Sequence, residues 1–171
     1  MLKSERKLKE LADILKNDDT TVITESIETL RQEIPFEGAI SLLTAYYNET
    51  DDVSIRKSIA GFMNDLKDQG VCGEIIAEAG KNWKDDTISM LVASCWQSGL
   101  DYSAYTPELA RVFLRGDYVT AIECLTVIEE SVHDLDNAQK AEVIKLIEDN
   151  PLPPGNEKST LTLELLTILN K

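Results

Sequence analysis

The apolar positions of this chain return every three or four residues, the spacing of one helix face, and strand-like alternation is scarce. One arrangement, with apolar residues at i, i+4, i+7 and i+11, lines a single face of a helix. It occurs as Ile23, Ile27, Leu30, Ile34 and again as Ile55, Ile59, Phe62, Leu66. A third copy is Ile88, Val92, Cys95, ending in Gly99, and a fourth is Ala121, Leu125, Ile128, Val132. Leu161, Leu165 and Ile168 make a shortened fifth. The first four copies start about 33 residues apart, within the range of helical repeat arrays.

Acidic turns punctuate these helices. Asp18-Asp19, Asp51-Asp52 and Asp85-Asp86 precede the first three copies, and Gly116-Asp117 precedes the fourth. An aspartate there caps the helix, its carboxylate accepting from orphan backbone N–H groups at the positive end. Asn156 and Ser159 are expected to serve the last helix in the same way.

Partner helices lie between the copies. Leu8, Leu11, Ala12 and Leu15 mark the first. Phe36, Ala39, Ile40, Leu43 and Tyr46 mark the second, with Pro35 expected at its opening, where a missing N–H is tolerated. Ile75, Ile76, Ala79 and Trp83 mark the third; Leu109, Val112 and Phe113, after Thr106-Pro107-Glu108, mark the fourth. The fifth starts after Asp136 and carries Ala141, Ile144 and Ile147, before Pro151, Pro153, Pro154 and Gly155 force a turn.

One helix pair cannot bury its own apolar faces, whereas stacked pairs can. The pattern therefore predicts an all-α chain forming a single helical-repeat domain over residues 1–171, a solenoid of about five antiparallel helix pairs. A closed ten-helix bundle is the alternative. In the stack, Ile27, Ile59, Val92 and Leu125 fall on successive adjacent helices. Ala60-Gly61 and Ala93-Ser94 keep the neighbouring surface small where helices approach.

The stretch Asp51-Asp52-Val53-Ser54-Ile55-Arg56-Lys57-Ser58-Ile59-Ala60 resembles the second-helix motif of HEAT repeats, in which a turn Asp precedes an aliphatic-Arg pair. Gly38-Ala39-Ile40-Ser41-Leu42-Leu43 looks like the matching first helix. Thr24, Ser89 and Ile122 stand where Arg56 would recur. The resemblance implies a right-handed α-α superhelix of the HEAT/armadillo type and a role as an interaction scaffold. The class also contains enzymes, lyases and a DNA glycosylase type among them, so the fold alone does not assign an activity.

Charge narrows the partners. Seventeen Lys+Arg against 31 Asp+Glu leave a formal charge of −14, which disfavours phosphate backbones and anionic lipid. Neither nucleic acid nor membrane is expected as a partner. Met1–Glu10 lacks the apolar core of a signal peptide, no apolar run is long enough to span a bilayer, and three widely spaced cysteines suit a reducing compartment. The cytoplasm is the expected location.

Reactive constellations are sparse. His133 is the single histidine and sits where a cation suits a helix C-terminus. Cys95 and Cys124 fall in or beside the apolar stripe, and Cys72, near Gly70 and Gly73, is expected to be the most accessible thiol. Ser54-Ile55-Arg56-Lys57 has the S-x-x-K form without its companion motifs. No Gly-rich phosphate loop or EF-hand loop occurs. No catalytic residue, cofactor or metal is assigned.

The remaining candidates are binding residues. Stacking aligns Asp18-Asp19, Asp51-Asp52, Asp85-Asp86 and Asp117 as a carboxylate edge, suited to docking a basic partner through Asp51, Asp85 and Asp117 or to a weak cation site. Opposite the apolar stripe run the columns Glu25, Lys57, Met90, Glu123 and Gln32, Asn64, Gln97, Glu130. Trp96 stands beside the second, in a column with Arg31, Met63 and Glu129. A half-exposed Trp flanked by Met63 and amides is what an interface anchor requires. A non-enzymatic scaffold for a protein or peptide follows as the leading expectation. Its alternatives are a lyase-like enzyme with a pocket near Trp96, or an acidic neutraliser of a basic protein.

Overall fold

The computed structural model describes residues 3–171; Met1 and Leu2, the start of the stretch read for a leader, lie outside them. Among the described residues there are ten α-helices and no strand. They are α1 (Lys3–Ile14), α2 (Thr20–Leu30), α3 (Ala39–Glu49), α4 (Val53–Asn64), α5 (Cys72–Ala79), α6 (Asp85–Gln97), α7 (Thr106–Arg115), α8 (Tyr118–Ser131), α9 (Asn137–Glu148) and α10 (Ser159–Leu169). Short 3₁₀ turns at Gln69–Val71, Ser103–Tyr105 and Val132–Asp134 tighten three of the connections. Among the described residues no helix is long and apolar enough to cross a membrane.

The even-numbered helices form one file, α2 packing on α4, α4 on α6, α6 on α8 and α8 on α10. The odd-numbered helices form a second, α1 on α3, α3 on α5, α5 on α7 and α7 on α9, and each odd helix also touches the even helix that follows it. The apolar stripes meet between the files. Ile27, Ile59 and Val92 are fully buried and Leu125 nearly so, each on the next even helix, as the spacing predicts.

Helix ends follow local chemistry. Asp19, Asp52 and Asp117 cap α2, α4 and α8 through backbone N–H groups. Asp136 and Gln139 form a capping box at α9. Asp85 and Asp86 do not cap α6: the N-cap is Lys84, and the two aspartates lie in the first turn. The orphan Lys84 N–H is instead taken by Asn48 Oδ1 of α3 at 2.9 Å, which also accepts from Thr87 Oγ1 at 3.0 Å. A side chain one repeat earlier has replaced the local cap. Ser159 does not cap α10 either; Lys158 occupies that position, and Asn156 Oδ1 accepts from the Lys158 N–H.

Three further expectations need correction. Pro35 does not open α3, which starts at Ala39, because Gly38 takes the left-handed conformation at φ +87° and interrupts the helix. A Cβ there would also lie 3.0 Å from Leu8 Cδ2. Ile34 is exposed rather than part of the stripe, since α2 ends at Leu30. In α9 the buried positions are Val143 and Ile147, and Ala141 faces out.

Polar pairs tie equivalent positions together about one repeat apart. Thr20 Oγ1 donates to Asp52 Oδ2 at 2.9 Å, so the cap of α4 is held from α2. Arg31 binds Asp65, its guanidinium lying against Gly61. Arg56 stacks 4.0 Å from the Tyr47 ring centroid, donates to the Tyr47 carbonyl and pairs with Asp86 of α6. Gln69 exchanges hydrogen bonds with the backbone of Asp101, and Trp96 Nε1 donates to Glu123 Oε2 at 2.7 Å. These pairs fix register at positions where apolar packing alone would tolerate sliding.

Candidate functional site

Among the residues singled out as an interface, the carboxylates come together best. A groove of about 570 Å³ opens between the first turns of α6 and α8. Asp85, Asp86 and Asp117 stand around it, and Met90, Ala93 and Val119 supply its apolar surface. Tyr47 of α3 and Ser89 complete the lining, which contains no cation. Helical geometry explains the convergence. Asp86, Ser89, Met90 and Ala93 share one face of α6 through three- and four-residue spacings, and Asp117 and Val119 begin the adjacent α8.

The three carboxylates are not equivalent. Asp86 is engaged by Arg56 at 2.5 Å. Asp117 spends Oδ1 on the Thr120 N–H at 2.8 Å. Asp85 is exposed and has no hydrogen bond or ion pair among the described residues. Asp51 is exposed as well but lies outside the groove lining. The edge therefore condenses into one local site between two repeats.

Beside the groove, Val119 is 54% exposed and Ile122 39%, and their i, i+3 spacing puts both on the same side of α8. Sequence reasoning placed Asp86 with Asp85 on the acidic edge, but passed over Val119 and met Ile122 only as the residue standing where Arg56 would recur. The available signal was Ile122 on α8, where the other repeats carry Thr24, Arg56 and Ser89; Val119 has an apolar counterpart in the exposed Val53 and did not stand out.

The Trp96 column behaves differently. Met63 is fully buried, so it cannot frame a surface slot with Trp96; α4 turns it into the core. Trp96 is 37% exposed, and its indole N–H is occupied by Glu123. Gln97, Gln32 and Glu130 are exposed and Asn64 is half-buried, but they do not line one groove. Gln32 lines a cavity of about 420 Å³ with Arg31, Asp65 and Lys67. Glu130 lines a separate one of about 240 Å³ with Asp101 and Asp134. Because α2 ends at Leu30, Gln32 leaves the helical register that would have extended the row.

The thiols are withdrawn. Cys72, Cys95 and Cys124 are all buried, which corrects the expectation that Cys72 is accessible: the 3₁₀ turn before α5 packs it inward, where Gln69 Nε2 donates to its sulfur at 3.2 Å. Burial pushes all three thiols up from their ordinary pKa, so each stays protonated near neutrality and is a poor nucleophile. The buried Tyr102 hydroxyl lies beside Cys72 and Cys95 and is likewise pushed up by burial. No group of three or more His, Cys, Asp or Glu among the described residues is arranged to hold a metal ion.

No family model, curated protein or solved structure matches this chain.

Proposed function

We propose that this chain is a HEAT-like helical-repeat scaffold, five antiparallel helix pairs stacked into a right-handed superhelix, that binds a protein or peptide on the face of its even-numbered helices. The observation that carries the reading is the file α2–α4–α6–α8–α10, in which polar pairs spanning about one repeat join α2, α4, α6 and α8 in turn. In such a stack each unit touches only its neighbours, and a continuous side surface remains for a partner. The groove between α6 and α8 gives that surface a concave, partly apolar place for a side chain.

Selection of a random-peptide display library against the folded full-length chain tests this reading. A scaffold returns related sequences that bind the native protein and fail to bind the heat-unfolded one. Absence of enrichment, or enrichment equal on the unfolded chain, would overturn it.

A further inference from the structure

We propose that the groove between α6 and α8 receives a single arginine or lysine side chain of the partner, flanked in the partner sequence by a large aliphatic residue that covers Val119 and Ile122. The inference rests on the scaffold reading above and names the chemistry of its partner.

Charge sets the occupant. Asp85, Asp86 and Asp117 bring three negative charges to the lining, and Arg56 offsets one through Asp86. The N-termini of α6 and α8 both border the groove, each equivalent to roughly half a positive charge. The balance is about one negative charge, which matches one cationic group and not a polybasic run. Within the groove, Asp85 is unengaged and Asp117 has spent only Oδ1, so acceptors remain for a guanidinium or ammonium.

The apolar part of the groove matches the rest of such a side chain. Met90 and Ala93 lie along α6 below the carboxylates, suited to the methylene stem of Arg or Lys, whose charged head stays at the rim. The groove, about 570 Å³ and open to solvent, gives the stem an apolar floor to lie on and leaves its backbone outside. Val119 and Ile122 extend the apolar surface outward from the rim, where the neighbouring residue of the partner lands. The net charge of −14 speeds the encounter with any cationic segment, while the groove selects where it settles.

The test uses ¹⁵N-labelled full-length protein and the probe peptide acetyl-Gly-Ser-Gly-Leu-Arg-Leu-Gly-Ser-Gly-amide, with a second peptide carrying citrulline in place of arginine. Citrulline keeps the shape and removes the charge. Saturable amide shifts confined to residues 85–93 and 117–122 are expected with the arginine peptide. Binding should be at least ~10-fold weaker for the citrulline peptide, and similarly weaker for the arginine peptide on the Asp85→Asn/Asp117→Asn variant. Asparagine caps about as well as aspartate, so α8 keeps its N-terminus. Equal binding of the citrulline peptide, shifts centred elsewhere, or no saturable shift with the wild-type chain would overturn the proposal. Library-selected peptides with footprints outside the groove would leave the scaffold standing and remove this site; failure of the selection removes both.

Discussion

Lys158 provides a severe test of the packing, because a lysine only 5% exposed has to be justified by its partners. Its ammonium donates to the carbonyls of Phe113, Leu114 and Gly116 at 2.8, 2.7 and 2.7 Å. Those carbonyls close the C-terminus of α7, where the helix presents its negative end. Burial pushes the Lys158 pKa down, and the nearby Cys124, Glu157 and Asp117 work against that. Each charge-assisted bond is worth about 1.5–3 kcal/mol. Desolvation of the ammonium cancels several kcal/mol of the sum. Lys158→Met keeps the stem volume and leaves three acceptors without a donor. Phe113 is fully buried, so its carbonyl has no access to water, while Leu114 and Gly116 are half-buried and rehydrate in part. We expect a net loss of about 2–4 kcal/mol, or roughly 5–15 °C in Tm for a chain of this size. Thermal and urea unfolding followed by circular dichroism measure it. Lys145→Met, at an exposed lysine on α9, is the control and should stay within about 0.5 kcal/mol. A Lys158→Met protein melting within about 2 °C of wild type would mean that the three bonds contribute nothing net, and the account of the α7 terminus would fall.

Other consequences are as direct. Ile59→Ala, at a fully buried position between the files, should cost about 2–5 kcal/mol by lost burial and a residual cavity, read from the urea midpoint; an unchanged midpoint would remove Ile59 from the core. Arg56→Lys keeps the charge but loses the planar stack on Tyr47 and the fork to Tyr47 O and Asp86, so it should destabilise by about 1 kcal/mol or more, whereas a wild-type melting curve would show that charge alone suffices. The Ile55 N–H, with the Thr20 hydroxyl and the Ser54 N–H, holds the Asp52 carboxyl below its ordinary pKa. That contribution is present above the unfolded carboxyl pKa and is lost as pH falls through the lower folded value. The Tm gap between wild type and Asp52→Asn should therefore narrow between pH 6 and pH 3, and a constant gap would contradict it. Trp96, 37% exposed, should be quenched by iodide, and a quencher-resistant Trp96 signal in the Trp83→Phe background would contradict its exposure.

The helices themselves were legible because burial on one side leaves a periodic record. Ile23-Ile27, Ile55-Ile59, Ile88-Val92 and Ala121-Leu125 could be aligned before any coordinates, and they lie on successive neighbours. What escaped reading depends on contacts across repeats. Nothing near Lys84 announces that Asn48 replaces the local cap, and nothing near Met63 says that its column turns inward. The early end of α2, which exposes Ile34 and removes Gln32 from its row, also had no sharp local marker before Pro35. The candidate site was half visible: Asp85 and Asp117 stood out as turn residues, but their convergence with Met90, Ala93 and Val119 depends on how α6 and α8 pack. Arg56, the residue that carried the HEAT resemblance, proves to brace α3, α4 and α6 together.

Whether the even-numbered helices run as an open stack can be measured as one distance. Thr29 on α2 and Thr167 on α10 are both exposed and occupy the same register, six residues after Ile23 and Leu161. The buried Cys72, Cys95 and Cys124, with their raised thiol pKa values, should leave nitroxide labelling to Thr29→Cys and Thr167→Cys. Neighbouring helices pack about 8–10 Å apart, so four successive steps from α2 to α10 put the labels roughly 30–40 Å apart. Double electron–electron resonance on the labelled protein should give a single distribution in that range. A distribution centred near 20 Å or below, the two-step spacing of a closed bundle, would contradict the stack.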